Sequence, residues 1–259
     1  MTRWLLNTFP TWALAAIVVG GFVALTLAGL WAVRRVAPGV LGGQANDLAG
    51  VMAGVIAAVY GVFLAFAIVV LYEEFHESTE DVQTEAVALA RLVRNAEALT
   101  PEVSSRMRAA VRGYRDTVVT EEWAAMRHGD DSEHAWRRVA AIYAVLREHE
   151  PRGAAATAFY EESVASVNDL VETRRARLHG ATAALPGTFM VLLVGGAVLT
   201  LGFTLVVGVP NRRMHTLMGV SLAILLGFCL LVTIVLDHPF SGEVRVSPEP
   251  YEQGALADV

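Results

Sequence analysis

The chain has 259 residues, of which 54% are hydrophobic and only 18% are charged, and its formal net charge is −6. The mean hydropathy is +0.47, and the charged residues cluster in the middle third, so the composition excludes a protein that is soluble throughout. The single cysteine, Cys229, excludes a disulfide within the chain and any metal cluster held by cysteines.

Residues 12 to 33 are apolar almost throughout and predict a first membrane-spanning helix. Trp12 and Trp31 lie near its ends, as interfacial aromatic residues do. A signal peptide has a shorter apolar core and a small-residue cleavage site, so we expect this span to be retained. Residues 34 to 46 contain Arg34, Arg35 and several glycines and predict a short flexible turn.

The chain is organised around residues 47 to 99, where the uncharged run from Leu48 to Tyr72 continues directly into a charged segment. Neither Gly nor Pro occurs from Val62 to Thr100, so nothing marks a helix end there. A bilayer core needs only about 20 residues of helix. We therefore predict one long helix whose first half is the second span and whose second half stands in water.

Each half of this long helix predicts its own packing seam. In the first half, small residues recur three to four apart and favour close approach of another helix; they are Gly50, Gly54, Ala57, Gly61 and Ala65. In the second half, a 4,3 spacing is typical of a helix packed along one seam; its members are Phe75, Thr79, Val82, Ala86, Leu89, Val93 and Ala96.

Residues 73 to 184 predict a water-exposed helical domain inserted between the second and third spans. Thr100 and Pro101 form a helix start, and Gly129 ends that helix. A second helix covers residues 132 to 150 and a third covers residues 154 to 184, and no segment has the alternation of a strand. The domain's balance of 14 Arg against 20 acidic residues makes nucleic acid and acidic lipid poor partners for it.

Two further spans complete the predicted fold, an all-α membrane protein with four transmembrane helices. Residues 186 to 209 and residues 214 to 236 are the third and fourth spans, joined by a turn with Arg212 and Arg213. From Asp237 onward the prolines predict an exposed, extended tail. The predicted domains are therefore residues 1–72, 73–184, 185–236 and 237–259, and the arginines near the membrane do not decide which side the helical domain faces.

Short segments in a fixed order give the chain a resemblance to a known family. They are Tyr60–Phe66 continuing into Glu73–Phe75, Glu121–Trp123, Arg174–Leu178, Leu185–Pro186, Pro239–Gly242 and Val246–Pro248. Together they resemble a bacterial family of unknown function described as bestrophin-like. The resemblance implies a likeness to bestrophins, which are pentameric ion channels with four spans per subunit, a helical cytosolic domain and a narrow apolar neck in a pore lined by the second span.

This resemblance implies a homo-oligomer, a pentamer as in bestrophins, in the bacterial cytoplasmic membrane, with the lipid bilayer and small ions as partners. The helical domain would then be cytoplasmic. For the apolar constriction it implies Phe63 and Phe66 with Ile56, Val59 or Val70. The alternative interpretation is that these side chains face lipid or pack within the protein. The chain lacks the paired consecutive aromatic residues and the calcium clasp of bestrophins, so calcium gating does not follow.

Acidic residues occupy successive turns after the second span. In a ring of subunits, Glu73 and Glu77 would line a vestibule with negative potential that favours cations. We expect Glu80, Asp81 and Glu85 instead to form salt bridges. The third helix of the domain runs back to the membrane and places three arginines at the same distance from it; these are Arg174, Arg175 and Arg177. Glu73, His76 and Glu77 have a metal-compatible spacing, but in so acidic a run the signal is weak, and we assign no metal and no cofactor.

Two functions remain open on the sequence alone. The first is an oligomeric ion channel with a slight cation preference, and the alternative is a non-conducting membrane sensor or interaction protein whose helical bundle binds a ligand. We expect no enzyme, since no phosphate-binding loop, nucleophile elbow or dinucleotide fingerprint occurs. The spans contain no charged residue, which disfavours a coupled pump, and the lack of an output domain disfavours the sensor.

Overall fold

The structure is a computed structural model that describes residues 2–36 and 46–259. All regular secondary structure in these two ranges is helical. The α-helices are α1 (Thr2–Thr8), α2 (Thr11–Val36), α3 (Asn46–Glu97), α4 (Pro101–Thr117), α5 (Trp123–Met126), α6 (Glu133–Arg147), α7 (Ala154–Thr182), α8 (Gly187–Val206) and α9 (Arg212–Leu236). A π-helical turn, Val118–Glu122, joins α4 to α5, and two 3-10 turns, Glu249–Glu252 and Gly254–Leu256, lie in the tail.

Four of the described helices, α2, α3, α8 and α9, are long and apolar enough to cross a membrane. They coincide with the four predicted spans, and the all-α fold class is confirmed. Helix α1 was not predicted. The predicted flexible turn falls mainly on residues 37–45, which lie outside the described residues, whereas Arg34 and Arg35 belong to the last turn of α2.

The chain forms two compact units. The membrane unit contains Met1–Glu73 and Ala184–Asp237, and the bundle unit contains Glu74–Ala183 and His238–Val259. Helix α3 contributes to both. The sequence placed the corresponding boundaries at residues 72 and 184 and treated the tail as a separate segment, whereas the structure groups residues from His238 onward with the bundle unit.

Glycine at particular contacts brings the helices of the membrane unit close together. A Cβ on Gly227 of α9 would lie 2.9 Å from the Cα of Val19 in α2, so these two backbones approach closely only because residue 227 has no side chain. Likewise, a Cβ on Gly196 of α8 would lie 2.4 Å from the ring of Tyr60 in α3. The Tyr60 hydroxyl donates a hydrogen bond to the Leu193 carbonyl at 2.7 Å, which fixes α3 against α8.

The bundle unit packs along the seam predicted for the second half of α3. Val82, Ala86, Leu89, Val93 and Ala96 are all buried, as the 4,3 spacing indicated. The predicted start of α4 is also confirmed, because the Thr100 side chain accepts a hydrogen bond from the Val103 N–H and Pro101 follows it.

The tail is not exposed as predicted, and this expectation was wrong. Phe240, Val246, Tyr251, Leu256 and Val259 are buried in the core of the bundle unit. Their spacing is irregular and prolines lie between them, so no helical or strand period marks them in the sequence. The tail is therefore a packed element of the bundle.

Candidate functional site

In the membrane unit, α3 has one buried face and one exposed face. The buried face consists of Ala53, Tyr60, Leu64, Ala67 and Leu71. Val55, Val59, Val62, Phe66 and Val70 form the exposed face, and their exposed fractions are 52%, 66%, 59%, 68% and 49%. Since each residue turns the helix by about 100°, these five lie within about 80° of one another. We call these five residues the exposed face of α3.

The structure separates the two phenylalanines proposed for a constriction. Phe66 lies on the exposed face with Val59 and Val70. Phe63 is half-buried, and its ring centre lies 5.3 Å from that of Phe189 in α8. Phe63 therefore packs inside the membrane unit, because it is rotated about 60° from Phe66 toward the buried face of the helix. Ile56 is half-buried as well.

The predicted seam of small residues does not pack against another described helix within this chain. A Cβ built on Gly54 or Gly61 would have no atom within 4 Å, and one on Gly50 would reach only Val207 at 3.9 Å. Ala65 is exposed and Ala57 is half-buried. Helix α3 instead contacts α8 through the large side chains of its buried face, because α8 supplies the small residue, Gly196, at this contact. The small residues lie on the side of α3 between its exposed face and its buried face.

Acidic residues continue the line of the exposed face along α3. Glu73, Glu77 and Glu80 are all exposed, and the helical repeat places them at nearly the same angle as Phe66. Glu80 was predicted to pair with an arginine, but it lies 3.4 Å from His76 on its own helix and forms no ion pair with an arginine of the described residues. Among the described residues, no group of three acidic, His or Cys side chains is arranged to hold a metal ion.

Asp81 is the titratable group of this segment whose environment is most unusual. Burial raises the pKa of its carboxyl to about 6, and the negative charges of Glu77 and Glu85 act in the same direction. The Arg177 charge lowers this pKa but does not outweigh them. Asp81 was predicted to pair with an arginine, whereas the structure gives it a long-range attraction to Arg177 and no ion pair in the part of the chain described.

A network of four fully buried ionic side chains lies inside the bundle unit. Arg177 Nε lies 2.7 Å from Glu85 Oε2, and Arg177 Nη2 lies 2.8 Å from Glu122 Oε2. Arg174 Nε donates to the same Glu122 oxygen at 3.2 Å. All four side chains have 0% exposure. The structure thus brings together the predicted partners Glu85 and Arg177, but it pairs Arg174 with Glu122, which had not been assigned as a partner.

Aromatic and backbone groups extend the network. The Tyr114 hydroxyl donates to Glu85 Oε1 at 2.5 Å, and the Ser132 N–H donates to Glu122 Oε1 at 3.2 Å. The guanidinium of Arg174 lies 3.9 Å from the centre of the Trp136 ring. Arg175 is 5.9 Å from the same ring and does not join the ion pairs described here.

Within the network, charge pairing outweighs desolvation. Burial raises the pKa of Glu122, but the hydrogen bond from Arg174 and the charges of Arg177 and Arg174 outweigh it and leave that pKa below its ordinary value. Glu122 is the last residue of the π-helical turn, which winds the chain more widely than an α-helix. The two arginines and two glutamates therefore form a neutral buried cluster.

Comparison with known proteins gives this arrangement a family. A family model described as a bestrophin-like domain matches residues 20–251. No curated protein matches the chain. Two structures of variants of a bacterial bestrophin homolog from Klebsiella pneumoniae are similar; one is 13% identical, with a TM-score of 0.68 over 91% of this chain and 93% of that chain. The other is 14% identical, with a TM-score of 0.65 over 93% of each chain.

A third solved structure, described as a membrane protein, is 14% identical and has a TM-score of 0.70 over 93% of this chain and 97% of that chain. At such identities the likeness shows a shared fold. The family model covers most of the chain. The chain belongs to the family of bestrophin-like domain proteins.

Proposed function

We propose that this protein is an oligomeric ion channel in which α3 of each copy lines a central pore. The observation that carries the proposal is the exposed face of α3, an unbroken apolar line on a helix whose opposite face is packed. Membership of the bestrophin-like family supports it, since the bestrophins that the family resembles are channels. The face would form stacked apolar rings around the axis of the assembly.

Phe66 is the residue we propose for the narrowest ring. It is the largest side chain of the exposed face and also its most exposed member, at 68%. Val62, one turn before it, and Val70, one turn after it, extend the apolar lining. A constriction of this kind restricts ions by excluding water, and it opens when the rings separate enough to become wet.

Small residues beside the exposed face support contact between copies. Gly54 and Gly61 have free space where a side chain would be, and both lie on the side of α3 between its exposed face and its buried face. A neighbouring copy's helix can approach closely there, as helices do at small-residue seams in membranes. We propose a homo-oligomer closed around the pore axis, a pentamer by likeness to bestrophins.

The carboxylates in line with the exposed face support a preference for cations. Glu73 and Glu77 are exposed, and several copies would form rings of negative charge at one end of the apolar rings. The buried ionic cluster of the bundle unit is neutral and does not offset that potential. We propose that the protein conducts cations across the bacterial cytoplasmic membrane, with the bundle unit in the cytoplasm.

Conductance of the purified full-length protein in planar bilayers tests this function. Under a KCl gradient, we expect currents whose reversal potential lies toward the cation potential. Phe66→Ala should raise the conductance because it widens the apolar ring. Val191→Ala is a matched control, since Val191 of α8 is 73% exposed but lies on another span.

Two outcomes would contradict the proposed channel with a pore lined by α3. One is a silent bilayer from protein shown to be folded and oligomeric, which would favour the sensor or interaction protein. The other is an equal response to Phe66→Ala and Val191→Ala, which would move the pore away from α3. Glu73→Gln with Glu77→Gln tests selectivity separately, because neutral vestibule rings should bring the reversal potential closer to zero.

A further inference from the structure

Four arginines meet at one end of the membrane unit. Arg34 and Arg35 form the last turn of α2, and Arg212 and Arg213 form the first turn of α9. Arg34 Nη2 donates to the Arg212 carbonyl at 3.2 Å and to the Thr216 hydroxyl at 3.0 Å, which joins the two helix ends. This cluster plays no part in the proposed pore.

Two cavities open on either side of this junction. One has a volume of about 520 Å³ and is lined by Arg34, Arg212, Arg213, Thr216, Leu217 and Val220. The other has a volume of about 380 Å³, and its lining includes Leu27, Leu30 and Trp31 together with Arg34 and Arg35. Each cavity is therefore lined by guanidinium groups together with apolar side chains, which form its apolar wall.

The charges around these cavities are of one sign. The acidic residues of the described membrane unit are Asp47, Glu73 and Asp237, and none of them lines either cavity. A guanidinium group binds phosphate oxygens through two parallel hydrogen bonds. Without a lining carboxylate, the cavities offer no ion-pair partner to the ammonium group of a zwitterionic lipid. An anionic headgroup fits their chemistry better.

The apolar walls distinguish a lipid from a free anion. Leu27 and Leu30 lie on the α2 turns that precede the arginines, and Leu217 and Val220 lie on the α9 turns that follow them. A headgroup held by the arginines would thus place its acyl chains along apolar side chains. Trp31 is 64% exposed, and the Arg35 guanidinium lies 5.6 Å from its ring, as expected for an aromatic residue at the headgroup level.

We propose that the ends of α2 and α9 form a binding site for an anionic glycerophospholipid. The phosphate lies among Arg34, Arg35, Arg212 and Arg213, and the acyl chains lie against the apolar walls of the two cavities. Arginines at the ends of membrane helices attract anionic headgroups through their charge and through paired hydrogen bonds to phosphate. The site recognises the negative headgroup, and it is independent of whether the protein conducts ions.

Native mass spectrometry of the full-length protein in a neutral detergent tests this site. Phosphatidylglycerol and phosphatidylcholine are added separately at equal concentrations, and the bound fractions give the affinities. We expect phosphatidylglycerol to bind at least about tenfold more tightly, since each arginine near an anionic headgroup strengthens binding by about fivefold. Arg35→Gln and Arg213→Gln should each lose about fivefold for phosphatidylglycerol and little for phosphatidylcholine.

The variants are chosen so that folding and charge are controlled. Arg35 and Arg213 are exposed and do not make the hydrogen bonds by which Arg34 joins the helices, so both variants should fold. Arg3→Gln removes one arginine in α1, outside the site, and should leave the lipid preference unchanged. Thermal unfolding is a second measure, because phosphatidylglycerol should raise the unfolding temperature of the unmodified protein more than that of either site variant.

Millimolar inorganic phosphate, compared with chloride at equal ionic strength, separates the two sources of a phosphate group. We expect phosphate to displace little phosphatidylglycerol, because it makes no contact with the apolar walls. Complete displacement of phosphatidylglycerol by phosphate would overturn the lipid in favour of a free anion. Equal binding of the two lipids, or a phosphatidylglycerol preference that survives both site substitutions, would overturn the site itself.

Discussion

The membrane unit and the bundle unit stabilise their cores in different ways. In the membrane unit, two buried threonines satisfy their hydroxyls within their own helices; the Thr26 hydroxyl donates to the Phe22 carbonyl at 2.8 Å and the Thr200 hydroxyl to the Gly196 carbonyl at 2.8 Å. The bundle unit buries four ionised side chains completely. The core of the membrane unit depends on close shape complementarity between its helices. The core of the bundle unit depends on the pairing of its buried charges.

This difference follows from the two solvents. Lipid supplies little hydrophobic driving force between spans, so helices associate through close packing at glycines, where Gly227 admits the backbone of Val19 and Gly196 admits the ring of Tyr60. Water drives the apolar faces of the bundle together, and that force offsets the desolvation of the buried ions. The membrane unit should therefore be most sensitive to added volume, and the bundle unit to a missing partner.

The largest expected effect is the loss of a charge from the bundle. Arg177→Met leaves Glu85 without its arginine and Glu122 with only Arg174, so we expect a loss of roughly 3–5 kcal/mol in the free energy of unfolding. Arg91→Gln is the control, since Arg91 Nη1 and Asp169 Oδ2 form an exposed pair 3.8 Å apart and such pairs contribute about 0–1 kcal/mol. Denaturant unfolding of the solubilised protein, followed by tryptophan fluorescence, measures the free energy of unfolding of each variant. Equal losses in Arg177→Met and Arg91→Gln would contradict a buried network that depends on charge pairing.

An intermediate effect is expected when volume is added to the membrane unit. In Gly196→Ala the new Cβ meets the Tyr60 ring, whereas in Gly195→Ala the Cβ meets no atom within 4 Å. Gly196→Ala should therefore cost about 1–3 kcal/mol through overpacking, and Gly195→Ala should cost little. Unfolding in mixed micelles of increasing dodecyl sulfate content measures the stability of each variant. Equal stabilities would show that Tyr60 moves aside freely.

The smallest effect concerns pH. The pKa of Asp81 is raised to about 6 from 3.8, so the folded state binds more protons and its stability falls as the pH rises from about 4 to about 6. The pKa of Glu122 is lowered, so its stabilisation is present above about 4.5 and is lost as the pH falls below that value. Asp81→Asn should remove only the first dependence. The effect of Asp81→Asn on stability is reduced by solvent screening, because the Asp81 side chain is only half-buried.

Unfolding of Asp81→Asn and the unmodified protein at several pH values measures this difference. The two stability curves should converge near pH 4 and separate toward pH 7, with the variant more stable. Parallel curves over this range would contradict the raised pKa of Asp81.

Most of the fold could be predicted from local signals. Hydropathy predicted the four spans, and Thr100 with Pro101 predicted the start of α4. The face by which α3 packs could not be predicted, because small residues on α3 indicated one face while Gly196 of α8 selected the face that contains Tyr60. The role of a glycine in packing depends on what the opposite helix presents.

The buried network could be predicted only in part. Glu85 and Arg177 were predicted to pair because they lie at similar distances along the chain from the second and third spans. Two helices that leave the membrane side by side therefore carry them at the same height. Glu122 was missed because a π-helical turn, Val118–Glu122, sets its direction and no α-helical period reveals it. The spacing of Arg174 and Arg177 on one helix face was the available signal, since two adjacent arginines facing a core require two acidic partners.

The measurement that most directly tests the proposed pore is block by a charged thiol reagent in planar bilayers. In a Cys229→Ser background, Phe66→Cys places the only thiol on the exposed face of α3, and Val191→Cys places it on an equally exposed site of α8. A water-soluble cationic methanethiosulfonate should reduce the current through Phe66→Cys and leave the current through Val191→Cys unchanged. Currents through Phe66→Cys that persist unchanged in the reagent, with the channel open, would contradict a pore lined by α3.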